Sequence, residues 1–473
     1  MPMRRCRSAF GRRTARSIFR CLAALPLIAI LLTAAGEAAL SAHAAVPETL
    51  ALAAGDTLDV GPPPVPQPVP APPKAGPLSH FYLALRGLQD HSRQAPVTIL
   101  HLGDSHIASD SLTREIRRLL QHRFGEAGRG MMQPFGAVPY QQADGIAFSV
   151  KGSWSFANSL KVHSGPFGVA GARATSSSAD AVMSLTAQER PFDWASVTVL
   201  TGPGQGKLKI VVDEQETTVD LAATRQESQT VRLGVRGSRL TVRPVGGDPV
   251  TILGWSVGSA SPGVRYVSLG IPGARASTTS AWDPALVAAD VRSIAPDLIV
   301  LGYGTNEAFD DGLAAADYRR TVVRLIGWLK AAAPRASLVI ITPPDVARQS
   351  RGALAGANPC GFRLDGTPYG SDRIRLQWQR LRTRWEAPRS LWLVRQTLED
   401  VARRSGAFVW DWSQAMGGPC SIDEWVQARP GLAGPDHVHQ TQRGYDRSSR
   451  SFYDALMADY PKASGLATSA EAP

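Results

Sequence analysis

The spacing of apolar residues divides the chain into regions of different character. Between residues 78 and 140, and again between 262 and 461, short β-branched apolar runs alternate with segments whose apolar residues recur every three or four positions. The runs are typical of buried parallel strands, and the recurring spacing is typical of amphipathic helices. Strands that alternate with helices predict an α/β domain, in which helices cover both faces of a parallel sheet.

The same pattern predicts where the elements of this domain begin and end. A helix capped by Asp110 or Ser111 is expected after the first strand. The other predicted helices cover residues 78–88, 284–293, 314–332, 391–404 and 442–459. The predicted strands cover residues 97–102, 265–269, 297–301, 337–341 and 407–412.

Residues 141–261 have a different pattern, in which apolar and polar residues alternate in short runs and Gly and Pro residues lie between the runs. The clearest runs cover residues 196–200, 207–212, 230–233, 240–243 and 250–253. Several short strands without intervening helices favour an antiparallel β-sandwich. We therefore predict a jelly-roll-like module inserted between the first helix and the second strand of the α/β domain.

The N-terminal region is typical of an exported protein. Seven arginines precede an apolar run of about fifteen residues from Cys21 to Ala35, and Ala42-His43-Ala44 follows. Residues 1–44 are predicted to be a signal peptide, residues 45–77 a Pro-rich linker and residues 462–473 a disordered tail. The alternative is a retained membrane anchor. With cleavage, the protein is expected in the periplasm or outside the cell, without a stable membrane span.

Removal of residues 1–44 changes both the charge and the cysteine count. The formal net charge falls from +11 to +5, and no basic cluster of the kind that binds nucleic acid remains. The mild positive charge is compatible with an anionic polysaccharide or a cell-wall partner. Cys360 and Cys420 are left as a candidate disulfide in an oxidising compartment, with two free buried thiols as the alternative.

The first predicted strand ends in an informative sequence, Gly103-Asp104-Ser105-His106, immediately before a helical pattern. Ligands of open α/β sheets bind outside the carboxyl ends of the strands, so the Ser105 hydroxyl is expected to face a crevice. A helix that starts just past the serine directs free N–H groups at the same crevice. This is where a hydrolase places a nucleophilic serine.

Further short motifs follow Ser105 in order along the chain. They are Leu-Gly-Ile-Pro-Gly273-Ala, Gly-Thr-Asn306-Glu and Pro-Asp436-His-Val-His439. The ordered set resembles the SGNH (GDSL-type) hydrolases, and the Gly-Asp-Ser-His variant with a large insertion after it most resembles their bacterial peptidoglycan O-acetylesterases. The resemblance implies a flavodoxin-like three-layer parallel sheet and an inserted β module that is similar to carbohydrate-binding modules.

The resemblance also implies roles for these residues. Ser105 would be the nucleophile, His439 its base and Asp436 the carboxylate that orients the base. The backbone N–H groups of Ser105 and Gly273 and the side-chain amide of Asn306 would form the oxyanion hole.

Two further histidines and two tryptophans are candidates for a role in the site, and the sequence leaves alternatives open for them. His437 competes with His439 for the role of base, or the two could ligate a metal, although no further ligand set is evident. Trp154 and Trp194 of the β module could stack on sugar rings, or they could be core aromatics. His106 could line the substrate pocket.

The predicted activity is that of a serine esterase that removes O-acetyl groups from a polysaccharide, with peptidoglycan favoured and no cofactor or metal required. A polysaccharide O-acetyltransferase with the same triad and a non-catalytic cell-wall-binding protein remain as alternatives. The polar segment 348–389 is expected to cover part of the cleft.

Overall fold

The computed structural model describes residues 76–349 and 385–460. The strands, in chain order, are β1 (Val97–Gly103), β2 (Gly130–Met132), β3 (Ile146–Lys151), β4 (Ser155–Asn158), β5 (Ala172–Ser176), β6 (Val182–Ala187), β7 (Trp194–Thr201), β8 (Lys207–Val212), β9 (Gln215–Asp220), β10 (Glu227–Leu233), β11 (Arg239–Pro244), β12 (Val250–Gly258), β13 (Val264–Gly270), β14 (Leu298–Gly302), β15 (Ser337–Thr342), β16 (Arg348–Gln349), β17 (Trp385–Glu386) and β18 (Phe408–Asp411).

The helices are α1 (Ser79–Gln89), α2 (Ser105–Ala108), α3 (Ser111–Phe124), α4 (Pro284–Ile294), α5 (Thr305–Ala308), α6 (Ala315–Ala332), α7 (Leu391–Ser405), α8 (Trp412–Met416), α9 (Ser421–Gln427) and α10 (Gln442–Met457), with a 3-10 helix at Ala276–Ala281.

The α/β domain is built on a parallel five-stranded sheet in the order β13-β1-β14-β15-β18. All residues of β1 are buried, and its apolar side chains alternate between two cores. Leu100 and Leu102 pack with residues of α4, α6 and α7, whereas Val97 and Ile99 pack with residues of α1, α3 and α10. The predicted three-layer α/β fold is therefore confirmed.

The inserted region forms two antiparallel sheets that enclose one core. The first has the strand order β10-β7-β12-β5-β4 with β2 paired to β12, and the second has the order β3-β6-β11-β8-β9. The five predicted strands correspond to β7, β8, β10, β11 and β12. The five runs do not include β2 to β6 or β9. The sequence of β9, Gln-Glu-Thr-Thr-Val-Asp, has no apolar period because the strand lies at the edge of its sheet and is almost wholly exposed.

The β-sandwich packs against the α/β domain through specific hydrogen bonds. Gln133 Nε2 donates to the carbonyl oxygens of Ala170 at 3.0 Å and of Gly270, the last residue of β13, at 3.1 Å. On α4, Asp290 accepts the backbone N–H of Val169 at 2.9 Å and also contacts Ser228 of β10. The sandwich therefore contacts the loop that follows β13.

The start of α3 differs from its prediction. Asp110 precedes the helix with a φ of 56°, and its side chain forms no capping hydrogen bond. Its carboxylate instead accepts from Arg117 at 2.8 and 3.1 Å and from Arg129 at 2.7 Å. Asp110 thus occupies the N-cap position, as predicted, but its side chain is committed to this buried ion cluster and does not cap the helix.

Several sequence predictions lie outside the described residues: the leader, the linker, Cys360, residues 350–384 of the polar segment and the tail. Cys420 is disulfide-bonded. Within residues 76–349 and 385–460, no helix is both long and apolar enough to cross a bilayer.

Candidate active site

Ser105 is placed by the end of β1, the second strand of the parallel sheet. At the last residue of β1, Gly103, a Cβ atom would lie 2.6 Å from the carbonyl oxygen of Gly302, so only glycine fits there. Asp104 is buried and accepts the backbone N–H of His106 at 3.0 Å, which caps the short helix α2. Ser105 is thus the first residue of a helical turn at the carboxyl edge of the sheet, as predicted.

The structure brings Ser105, His439 and Asp436 into one hydrogen-bonded line. Ser105 Oγ lies 2.9 Å from His439 Nε2, although 334 residues separate them. His439 Nδ1 lies 2.7 Å from Asp436 Oδ2, and Asp436 Oδ1 accepts the backbone N–H groups of Val438 and His439 at 3.1 Å. A hydroxyl, an imidazole and a carboxylate in this order can activate a serine for acyl transfer.

The hydrogen bond between Asp436 and His439 shifts both of their pKa values. It is the main cause that raises the pKa of His439 above its ordinary value. Partial burial alone would raise the pKa of Asp436, but hydrogen bonds from His439 and Val438 outweigh it and lower that pKa to about 2. The carboxylate therefore stays ionised and stabilises the imidazolium that forms when His439 accepts a proton.

His437 is engaged elsewhere, despite its place two residues before His439. Its φ is 55°, and its ring stacks on Trp385 at a centroid distance of 3.8 Å. Its Nε2 lies 3.2 Å from Asp423 Oδ1. His437 is thus held against α9 and β17 and does not pair with Ser105. The described part of the chain contains no cluster of side chains suited to hold a metal ion.

Gly273 and Asn306 lie on the loops that follow the two strands beside β1. Gly273 is exposed with a φ of 83°, and Asn306 lies in α5, just after β14. Asn306 Nδ2 donates to the carbonyl oxygen of Ala274 at 2.9 Å, which ties the two loops together. An amide nitrogen carries two hydrogens, so a second donor remains on Asn306. The three loops that carry Ser105, Gly273 and Asn306 therefore meet at one edge of the sheet.

Comparisons with known proteins agree with this arrangement. Residues 250–447 match the model of the GDSL-like Lipase/Acylhydrolase family. A solved structure of a peptidoglycan O-acetylesterase is 25% identical, over 82% of this chain and 97% of that chain, with a TM-score of 0.65. The chain carries a GDSL-like (SGNH-type) acylhydrolase domain. It is accordingly a carboxylic ester hydrolase.

A second solved structure has a lower identity and TM-score. A family two carbohydrate esterase from Cellvibrio japonicus is 11% identical over 66% of this chain and 98% of that chain, with a TM-score of 0.23. Among curated proteins, no sequence matches the chain. In this acylhydrolase the family match begins well after Ser105, because the β-sandwich separates the serine from the other motifs.

His106 does not line an open pocket, so that expectation is corrected. Its side chain is buried, and its Nδ1 lies 2.8 Å from the hydroxyl of Tyr445 on α10. The ring packs edge-on against Trp412 at 5.0 Å and lies 5.3 Å from the ring of His439. Burial lowers the pKa of His106 to about 3, which keeps the ring neutral beneath His439.

Two buried carboxyl groups support the site of the acylhydrolase, and the sequence reasoning assigned neither of them a role. Burial raises the pKa of Asp104 to about 6 and the pKa of Glu307 to about 7. Glu307 Oε1 accepts the backbone N–H of Ala276 at 2.6 Å, which fixes the segment after Gly273. The only sign of a role for Asp104 and Glu307 in the sequence was that each is adjacent to a predicted site residue, Ser105 or Asn306.

The two tryptophans differ in how the structure places them. Trp194 is buried, with the guanidinium groups of Arg232 and Arg265 over its ring at 4.2 and 4.7 Å. The expectation that Trp194 stacks on sugar is therefore corrected in favour of a packing role. Trp154 is half-buried and packs against the sandwich core, and sugar binding by Trp154 stays a prediction.

Proposed function

We propose that this acylhydrolase removes O-acetyl groups from a polysaccharide, peptidoglycan in particular, with Ser105 as nucleophile. The proposal rests on one observation above all, the continuous line of hydrogen bonds from Ser105 Oγ through His439 to Asp436. The likeness to a peptidoglycan O-acetylesterase over most of both chains supports the choice of substrate.

In the first half-reaction, Ser105 Oγ attacks the acetyl carbonyl carbon while its proton passes to His439 Nε2. The negative charge that develops on the carbonyl oxygen is stabilised by the N–H groups of Ser105 and Gly273 and the amide of Asn306. One such donor commonly lowers the barrier by about 3 kcal/mol. His439 then gives its proton to the sugar oxygen, the carbon–oxygen bond breaks, and the acetyl group remains on Ser105.

In the second half-reaction, His439 removes a proton from water, and the resulting hydroxide attacks the acetyl-serine. Collapse of the second tetrahedral intermediate releases acetate, and the proton returns to Ser105 Oγ. In the described residues the side chains of His439 and Asp436 are 47% and 50% exposed. Such exposure favours water over a sugar hydroxyl as the acceptor, and therefore hydrolysis over acetyl transfer.

We further propose that the protein acts in the periplasm or outside the cell, where such a polymer is found. The support is the sequence of residues 1–44, with its arginines, apolar run and Ala-x-Ala site.

The experiment compares the parent with Ser105→Ala on a chromogenic acetate ester and on O-acetylated peptidoglycan sacculi, with released acetate as the readout. We expect the substitution to lower both rates by about 10³-fold or more while the melting temperature is retained. Ser280→Ala, an exposed serine, is the matched control. Undiminished acetate release by Ser105→Ala would end the nucleophile assignment, and activity on the small ester without release from sacculi would end the substrate assignment.

A further inference from the structure

A second concavity lies beside α2, between the α/β domain and the β-sandwich. It encloses about 380 Å³, which is within the roughly 300 to 1,000 Å³ of small-ligand sites. The residues that matter for its chemistry are Ser109, Phe135, Gln141, Phe148, Gln188 and Gln442. We call this concavity the amide cleft.

One wall of the amide cleft is made by the segments that carry the catalytic residues. Ser109 directly follows α2, which begins at Ser105, and Gln442 is three residues past His439. Gln442 Nε2 donates to the carbonyl oxygen of Ser111 at 3.4 Å and to Asp446 at 2.8 Å, which joins the two segments. A polymer bound at Ser105 therefore has a neighbouring surface built from the same elements.

The opposite wall carries aromatic rings. Phe135 and Phe148 stack at a centroid distance of 4.8 Å, and Phe148 stacks in turn on Trp255 at 5.9 Å. Trp255 is fully buried in the sandwich core, whereas Phe135 and Phe148 are half-buried and line the cleft. The stack thus extends from the core to the cleft and presents a rigid apolar surface there.

Gln141 holds an acceptor that no described residue uses. Its Nε2 donates to the carbonyl oxygen of Gln133 at 3.0 Å, which fixes the orientation of the amide. Its Oε1 is buried and has no hydrogen-bond partner among the described residues. A buried acceptor without a donor costs roughly 1–3 kcal/mol. Gln141 as a whole is half-buried, and a small shift of its side chain toward the cleft would let a ligand hydroxyl or amide N–H relieve that cost.

Tyr140 stands directly beside a residue that lines the cleft. It precedes Gln141 and is 83% exposed, the most exposed of the large apolar side chains in the described part of the chain. Its φ of 57° lies in the left-handed region, which bulky residues adopt rarely and at a cost. A tyrosine held out in this way offers a ring face to a ligand.

The charged side chains around the cleft favour an uncharged ligand. Asp110 is paired with Arg117 and Arg129. Arg114 lies 3.7 Å from Asp446, and Asp144 lies 4.0 Å from Arg117. Each charged side chain that lines the cleft therefore has an opposite charge beside it, and the groups left for a ligand are neutral amides, hydroxyls and rings.

We infer that the amide cleft binds an uncharged pyranose ring of the polymer, next to the ring whose acetyl group reaches Ser105. A sugar presents hydroxyl and acetamido donors at its edge and an apolar face of C–H groups, which match Gln141 Oε1 and the rings of Phe135 and Tyr140. The inference rests on the proposed function for the identity of the polymer. The binding energy that the amide cleft provides is available only to the polymer and not to a small ester.

The test uses the full chain with three substitutions, Tyr140→Ala, Tyr140→Phe and Gln141→Leu, and Leu83→Ala as a control that also truncates an exposed apolar side chain. The first readout is the ratio of kcat/KM on O-acetylated sacculi to kcat/KM on the chromogenic acetate ester. We expect this ratio to fall about tenfold in Tyr140→Ala and Gln141→Leu, which corresponds to about 1.4 kcal/mol. It should stay within about twofold of the parent in Tyr140→Phe and Leu83→Ala.

The second readout is independent of turnover. Each substitution is combined with Ser105→Ala, and co-sedimentation with chemically de-O-acetylated sacculi measures binding. Weaker binding in the Tyr140→Ala and Gln141→Leu proteins supports the subsite even if the esterase assays contradict the proposed function. Unchanged binding together with an unchanged activity ratio in Tyr140→Ala overturns the proposed subsite. Because Tyr140 is exposed, its substitution leaves the fold intact, so the test remains decisive even if Gln141→Leu fails to fold.

Discussion

His437 and His439 are two residues apart, yet the structure gives their side chains different partners. His439 lies between Ser105 and Asp436, whereas His437 is buried between Trp385 and Asp423. The left-handed backbone at His437 separates the two rings, because an extended backbone would place residues two apart on the same face. The chemistry of the two residues therefore follows from one backbone conformation.

We predict that the two histidines respond differently to substitution. His439→Ala removes the base and should lower kcat on a small acetate ester by about 10³-fold or more, at an unchanged melting temperature. His437→Ala should instead lower the melting temperature and reduce kcat much less, because it empties a packed position. Paired kinetic and calorimetric measurements check both. The reverse order would assign the base to His437.

The pH dependence of activity tests the pairing of His439 with Asp436. Because only neutral His439 can accept the serine proton, activity should rise with pH through its pKa, which Asp436 holds above the ordinary value near 6.5. Asp436→Asn should lower kcat by roughly 10³- to 10⁴-fold and move the acid limb of kcat/KM to lower pH. The profile on a small ester measures this. An acid limb that stays in place would mean that Asp436 does not set the pKa.

At the scale of elements, the start of α3 is tied to the sandwich by buried charge. Asp110 accepts from Arg117 within the helix and from Arg129, which stands just before β2. Opposite charges and hydrogen bonds outweigh burial and hold the pKa of Asp110 well below its usual range. Both arginines depend on this one carboxylate, because Asp144 reaches Arg117 only at 4.0 Å.

Asp110→Ala should therefore destabilise the fold by about 3–5 kcal/mol, since it leaves two buried guanidinium groups without their main partner. Asp317→Ala is the control, because its pair with Arg320 is exposed and such pairs contribute about 1 kcal/mol or less. Equilibrium urea unfolding of the two variants gives the comparison. Equal losses of stability would show that the cluster does not join the elements.

At the scale of the whole molecule, buried ionisable groups set how stability varies with pH. Burial raises the pKa values of Asp104, Asp290 and Asp345 to about 6 and that of Glu307 to about 7. A raised folded-state pKa contributes stability that is present below the unfolded value near 4 and is lost as pH rises through the folded value. These four groups therefore weaken the fold progressively as pH rises from about 4 to about 7.

The melting temperature should consequently rise when the pH is lowered from about 8 to about 6. Below about pH 4 the trend should turn over, because the four carboxyl groups are then protonated in both states, whereas His101 and His106, whose pKa values burial lowers to about 3, continue to lose their contribution as pH falls. Glu307→Gln should flatten the rise, and Glu227→Gln, at an exposed position on β10, should not. Scanning calorimetry across this range is the measurement, and a melting temperature that falls between pH 8 and pH 6 would contradict it.

Local pattern predicted most of the α/β domain because its strands are buried on both faces and its helices on one. The strand expected at 97–102 is β1, and the helix expected at 284–293 is α4. The same logic failed at β9, whose exposed edge position leaves no apolar period to detect. The resemblance to SGNH hydrolases was likewise confirmed, because short motifs in a constant order survive a large insertion.

The sequence by itself thus determined the fold class, the inserted β-rich region, the family and the order of the site motifs, because periodicity and short motifs are local properties. Tertiary structure decided that His439 rather than His437 meets Ser105, that Trp194 is buried beneath arginines, and that His106 packs under the site. It alone formed the amide cleft, whose walls come from two domains. These features depend on contacts between residues far apart in the chain, and such contacts leave no periodic signal in the sequence.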